Sequence, residues 1–156
     1  MINKDFNRIV DEYLSLIDNH LVNPDNLKVY DFYKLNSPKV RFKRLLDVYY
    51  LLKDNLLKND YNHKNITEML KLKITEVLKK KGDEYSTEDR LHNFKLASRF
   101  IGEPKIVKVC EMFQLKHIAS IDDIINGSVE VGSALIDEKV IDAMNYCILH
   151  DAILKD

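Results

Sequence analysis

The stretch Ser37-Pro38-Lys39-Val40-Arg41-Phe42-Lys43-Arg44-Leu45-Leu46-Asp47-Val48-Tyr49-Tyr50-Leu51-Leu52-Lys53-Asp54-Asn55-Leu56-Leu57-Lys58 decides the fold class. Ser followed by Pro opens a helix: the hydroxyl can accept from a free N–H of the first turn, where the missing proline N–H does no harm. Val40, Leu45, Val48, Tyr49 and Leu52 then fall at helical spacing and are expected to face inward. After Pro38 the stretch holds neither Gly nor Pro. The whole chain is sparse in both, with 4 Gly and 3 Pro in 156 residues. Sheets joined by tight turns need more punctuation, so the expected class is all-α, a helical bundle.

Working outward, Phe6, Ile9, Val10, Tyr13, Ile17 and Leu21 form one stripe and predict a helix over 4–21, ended by Asn23-Pro24-Asp25-Asn26. Leu27 to Leu35 alternates weakly and stays open between a short helix and an extended connection. On the other side, Ile66, Met69, Leu70, Ile74, Val77 and Leu78 predict a helix over 66–81 that Gly82 would stop. Ser86 or Thr87 can cap a helix over 88–101, and Gly102-Glu103-Pro104 separates it from another reaching His117. Ser120-Ile121-Asp122-Asp123 has capping-box spacing, with Asp standing in for Glu, and predicts a short helix closed by Asn126-Gly127. The last helix is expected over 134–154.

Hydrophobic residues at 46% and charged residues at 31% describe a globular chain, not a disordered one. The net charge of −1 gives no general attraction for nucleic acid, which is therefore an unlikely partner. Charge is nonetheless segregated: Lys34 to Lys81 holds 13 Lys/Arg against 5 Asp/Glu, and Ala119 to Asp156 holds 2 against 8. Such segments can pair with each other on the surface or form a place where metal and phosphate meet. No apolar run reaches the ~18 residues of a membrane span, and Met1-Ile2-Asn3-Lys4-Asp5 has no apolar signal core. A cytoplasmic protein without membrane attachment is expected. Cys110 and Cys147 lack metal-ligand spacing and lie on apolar helix faces, which predicts buried free thiols.

Candidate chemistry concentrates between Lys80 and Tyr146. Glu138 and Asp142 are four apart, so both carboxylates share a helix face that Asn145 and Tyr146 continue. Two such carboxylates repel unless a cation lies between them, and oxygen ligands of this kind suit Mg²⁺, with Mn²⁺ as an alternative. From spacing alone the same pair reads first as a solvated face beside Lys139. Asp83 and Glu84 follow a helix C-terminus, where the helix dipole disfavours acids, so either a function or an exposed turn accounts for them. Arg90, with Asn93 and Phe94 on the next turn, and Lys116 beside His117 are the natural phosphate partners. No Gly-rich phosphate loop, no serine elbow and no zinc motif occurs, so an acidic metal site is the chemistry left open to an enzyme.

Taken in order, Lys80-Lys81-Gly82-Asp83-Glu84-Tyr85, Arg90-Leu91-His92-Asn93-Phe94, Lys116-His117-Ile118-Ala119-Ser120-Ile121 and Asp137-Glu138-Lys139-Val140-Ile141-Asp142-Ala143-Met144-Asn145-Tyr146 resemble a group of small bacteriophage proteins. More distantly they are similar to the MazG-like, all-helical nucleoside triphosphate pyrophosphohydrolases and to phage nucleotide-modification-associated domains. The resemblance implies a MazG-like helical core over 63–156, preceded by an N-terminal helical extension over 1–62 of unknown role. It also implies a homo-oligomer that binds Mg²⁺ and hydrolyses a nucleoside triphosphate to the monophosphate and pyrophosphate. On that resemblance Glu84, Glu138 and Asp142 would be metal ligands, with Glu84 also the base. Arg90 and Lys116 would contact phosphates, and Asn93, Asn145 and Tyr146 would shape the nucleotide pocket. The Glu-Glu-x-x-Glu cluster of those enzymes has no counterpart here, since Glu68 and Glu76 stand alone among lysines.

Two kinds of function follow. One is Mg²⁺-dependent hydrolysis or binding of a nucleotide in phage nucleotide metabolism, inside an infected bacterial cell. The other is a non-catalytic protein that binds and inhibits a host enzyme or defence complex. For the second, Tyr30 to Tyr33 and Tyr49-Tyr50 either face a host protein partner or pack against the rest of the bundle.

Overall fold

The computed structural model describes residues 1–80 and 89–156. The chain is all-α, and no strand occurs among the described residues. Helix α1 spans Asn3–Asp18 and α2 spans Pro38–Leu57. Helix α3 spans His63–Thr75 and runs on through a wider π-helical turn, Glu76–Lys80. Helices α4, His92–Ile101, and α5, Ile106–Ile125, follow. Helix α6 is built from Ser133–Ile136, a π-helical turn Asp137–Ile141, and Asp142–Lys155 in unbroken succession. Single 3₁₀ turns at Phe32–Lys34 and Lys58–Asp60 complete the connections, the first within the stretch that sequence leaves open. No helix among the described residues is long and apolar enough to cross a membrane.

Local chemistry sets some of the helix ends. The Ser37 side chain accepts from the Val40 N–H at 3.2 Å, the bond a hydroxyl N-cap makes. Ser37→Ala is expected to cost about 1 kcal/mol, read from the denaturation midpoint. An unchanged midpoint would mean that Pro38 alone starts α2. Gly102 closes α4 at φ +71°, a left-handed conformation that glycine adopts without steric penalty.

Helix α6 occupies the centre, packed against α5, α2 and α1. Ala143, Met144, Cys147, Ile148 and Ala152 are buried around much of its circumference, as expected of a helix enclosed by others. Phe6, Val10, Tyr13, Phe42 and Leu46 belong to the same buried cluster as Ile121, Met144 and Ile148. Residues 1–62 and 63–156 thus share one core. Tyr13 and Phe42 meet edge to face, with ring centroids 4.9 Å apart.

Several expectations need correction. Helix α1 ends at Asp18, so Leu21 lies beyond its last turn and is 89% exposed. Val40 is exposed and Arg41 is buried in its place. At 3.6 residues per turn Val40 stands roughly 140° from Leu45, whereas Arg41 stands only about 40° from it. Met69 is exposed because it precedes the buried Leu70–Ile74 line by one residue. No helix starts at Ser120: its hydroxyl donates to the Lys116 carbonyl at 3.1 Å, and buried Ile118, Ile121 and Ile124 carry α5 through to Ile125. Tyr49 and Tyr50 pack inside, while Tyr30 is exposed. The expected Gly82 stop and the Ser86 or Thr87 cap lie outside the described residues.

Candidate functional site

The π turn of α6 starts at a charged junction. Asp137 Oδ1 accepts from Tyr49 Oη and pairs with Lys53 Nζ, each at 2.7 Å, and Oδ2 pairs with Lys73 Nζ at 2.7 Å. Lys53 also donates to the Ser133 hydroxyl. Burial opposes ionisation of Asp137, but the bonds from Lys53, Lys73 and Tyr49 outweigh it and hold the carboxyl below the usual carboxylate range. Asp137 therefore ties α2 and α3 to the start of α6, one turn before the residues that line a pocket.

That pocket has a volume of about 600 Å³. Asp142, Asn145, Tyr146 and Leu149 line it from α6, at the i, i+3, i+4, i+7 spacing of a single helix stripe. Asn93 and Phe94 enter from α4, with Asp89 and Arg90 just ahead of it. Phe113 of α5 and the π turn of α3, through Val77 and Leu78, close other sides. The aromatic rings cluster: Phe94 lies 6.0 Å from Phe113 and 6.5 Å from Tyr146, centroid to centroid.

The polar groups differ in how the fold engages them. Arg90 donates to Asn3 Oδ1 at 2.7 Å and to the Leu78 carbonyl at 3.0 Å, and its guanidinium lies 4.2 Å from the Phe6 ring centroid. These contacts make it a brace between α1, α3 and α4 as well as part of the pocket wall. Asp89 pairs with Lys95 and with the Met1 amine, both at 2.6 Å. Burial raises its carboxyl, but those bonds prevail and hold it far below the usual range. Asn145 is 5% exposed, and neither its Oδ1 nor its Nδ2 has a hydrogen-bond partner. The His117 ring lies 5.8 Å from that of Tyr146, with its Nδ1 buried and also without a partner. Burial lowers the His117 pKa against the opposing charge of Asp142, favouring the neutral ring.

No family model, curated protein sequence or solved structure matches this chain.

The site stands on its own geometry. Of the residues singled out by sequence, Arg90, Asn93, Asp142, Asn145 and Tyr146 line one pocket. Lys116 and Glu138 do not: Lys116 is exposed, and the Glu138 side chain is 61% exposed with Lys139 Nζ at 3.6 Å. Glu84 lies outside the described residues. Among those described, no group of three or more His, Cys, Asp or Glu side chains is placed to hold a metal ion. Leu149 and Phe113 escaped the sequence reading, although Leu149 continues the Asp142 stripe by one turn and Phe113 precedes His117 by four residues. Cys110 and Cys147 are buried free thiols, which burial pushes up to about 12, so both stay protonated.

Proposed function

We propose that this pocket binds a nucleotide, taken up together with Mg²⁺. The observation that carries the reading is the convergence of Asn93, Asp142, Asn145 and Tyr146 from two helices on one pocket of about 600 Å³. That size falls within the roughly 300–1,000 Å³ of small-ligand sites. The three rings suit a flat heterocycle, and the amides suit its polar edge. Mg²⁺ on a nucleotide is held largely by the phosphates and by one or two protein carboxylates. Asp142 fits that role, so a cage of three protein ligands is not required. When bound, the metal would offset phosphate charge. The reaction that accords with the MazG-like resemblance is release of pyrophosphate from a nucleoside triphosphate.

The test is thermal melting and product chromatography with a panel of (deoxy)nucleoside triphosphates, with Mg²⁺ or EDTA, for the wild type and Asp142→Asn. At a ligand concentration 100 times Kd, stabilisation is about 2.7 kcal/mol. The melting temperature should then rise by roughly 5–10 °C with Mg²⁺, and much less in EDTA or in the variant. A response identical in all three would exclude Asp142 and the metal.

One observation favours a second reading, a non-catalytic protein that binds another protein. Phe100 and Ile101 at the end of α4, and Met112 and Leu115 on α5, are large apolar side chains left exposed. Specific capture of a host protein by the wild type but not by Phe100→Glu, with no nucleotide response, would support it.

A further inference from the structure

We infer that Asn145 reads the polar edge of the ligand's planar ring, so that the part of the ligand recognised in the pocket is a nucleobase and not its phosphates. This builds on the nucleotide reading above and names the feature of the ligand that the site selects.

Asn145 sits on the central helix, almost wholly buried, lining the pocket with both amide atoms unpaired. A buried amide without partners destabilises a fold, and an apolar side chain of the same shape would not. The packing between α5 and α6 satisfies another buried amide in full. Gln114 Nε2 donates to the Ala143 carbonyl at 2.8 Å, and its Oε1 accepts from the Tyr33 hydroxyl at 3.2 Å. Asp151, also on α6, accepts from Tyr13 Oη at 2.7 Å. Single unmet atoms occur elsewhere, at Asn7, Arg41, Arg90 and His117, but among the described residues Asn145 alone has two, its whole amide.

An asparagine amide offers one acceptor beside one donor group. Its complement is a ligand edge with a donor next to an acceptor, which the amide and amidine edges of nucleobases present. Phosphate oxygens only accept and would leave Oδ1 unmet. Vicinal ribose hydroxyls could meet both atoms, but the rings of Phe94, Phe113 and Tyr146 favour a flat partner over a sugar.

The experiment is calorimetric titration of the wild type, Asn145→Leu and Asn145→Ala with phosphate-free (deoxy)nucleosides, with ribose 5-phosphate and with the best nucleotide, plus melting of each protein alone. At least one nucleoside should bind the wild type without phosphate, and ribose 5-phosphate should not. Both variants should lose nucleoside affinity by about tenfold or more. Without ligand, Asn145→Leu should melt about 2–4 °C above the wild type, because the unpaired amide is gone. The inference is overturned if affinity survives in both variants, or if ribose 5-phosphate binds and no nucleoside does. A lower melting temperature for Asn145→Leu, with Asn145→Ala keeping nucleoside affinity, overturns it as well. If no nucleotide binds even the wild type, the pocket assignment itself falls. Nucleotide binding that persists in both variants removes only the role of Asn145.

Discussion

Asp137→Ala is expected to lower the stability of the fold by about 3–5 kcal/mol, the cost of removing one member of a buried ion pair. Lys53 is only 3% exposed and would lose the counter-ion 2.7 Å away. Lys73 and the Tyr49 hydroxyl lose the same partner. Urea denaturation measures the loss. A double change, Asp137→Ala with Lys53→Met, should recover part of it, because no unpaired charge then remains inside. A cost below about 1 kcal/mol would place the junction with ordinary surface pairs. The pH dependence has a fixed sign. The Asp137 carboxyl is held below its ordinary value of 3.8, so the folded state binds fewer protons there than the unfolded chain. Its contribution is fully present above the unfolded pKa and is lost as pH falls through the lower, folded value. Asp31, Asp89 and Asp156 are shifted the same way and add to the acid sensitivity. Asp137→Ala should therefore lose stability less steeply than the wild type as pH falls below about 4.

Phe6→Ala should cost a similar amount, about 3–5 kcal/mol, for a different reason. The ring is fully buried, so its removal forfeits transfer free energy and leaves a cavity that a packed interior closes only in part. For a chain of this length the melting temperature should fall by roughly 6–20 °C. The same ring supports the Arg90 guanidinium, so the change also loosens the brace at the pocket wall. Phe100→Ala is the control: at 79% exposure it should stay within about 0.5 kcal/mol of the wild type. Equal losses at both positions would contradict the burial pattern.

Much of the site was legible because it lies on one helix. Asp142, Asn145 and Tyr146 fall on one face through their spacing alone, and Asn93 follows Arg90 by one turn. Glu138 shows the limit of that logic. It is four residues from Asp142, yet it projects to solvent beside Lys139 while Asp142 lines the pocket. Glu138 sits within the π turn that ends just before Asp142, and the wider winding there changes the angular step that an α-helical count assumes. Arg90 reads as a free phosphate partner in sequence, but Asn3, its hydrogen-bond acceptor, is 87 positions away.

The amino-acid sequence alone determined the all-α class, the Ser37 cap, the turn glycine at Gly102 and most of the buried stripe of α1. These depend on groups within one or two turns of each other, where backbone geometry fixes the distances. Tertiary structure decided that α6 lies at the centre, that Asp137 meets Lys53 and Lys73, that Arg41 is buried, and that Asn145 has no partner. Each of those depends on which distant side chains surround a residue, and helical periodicity carries no information about that.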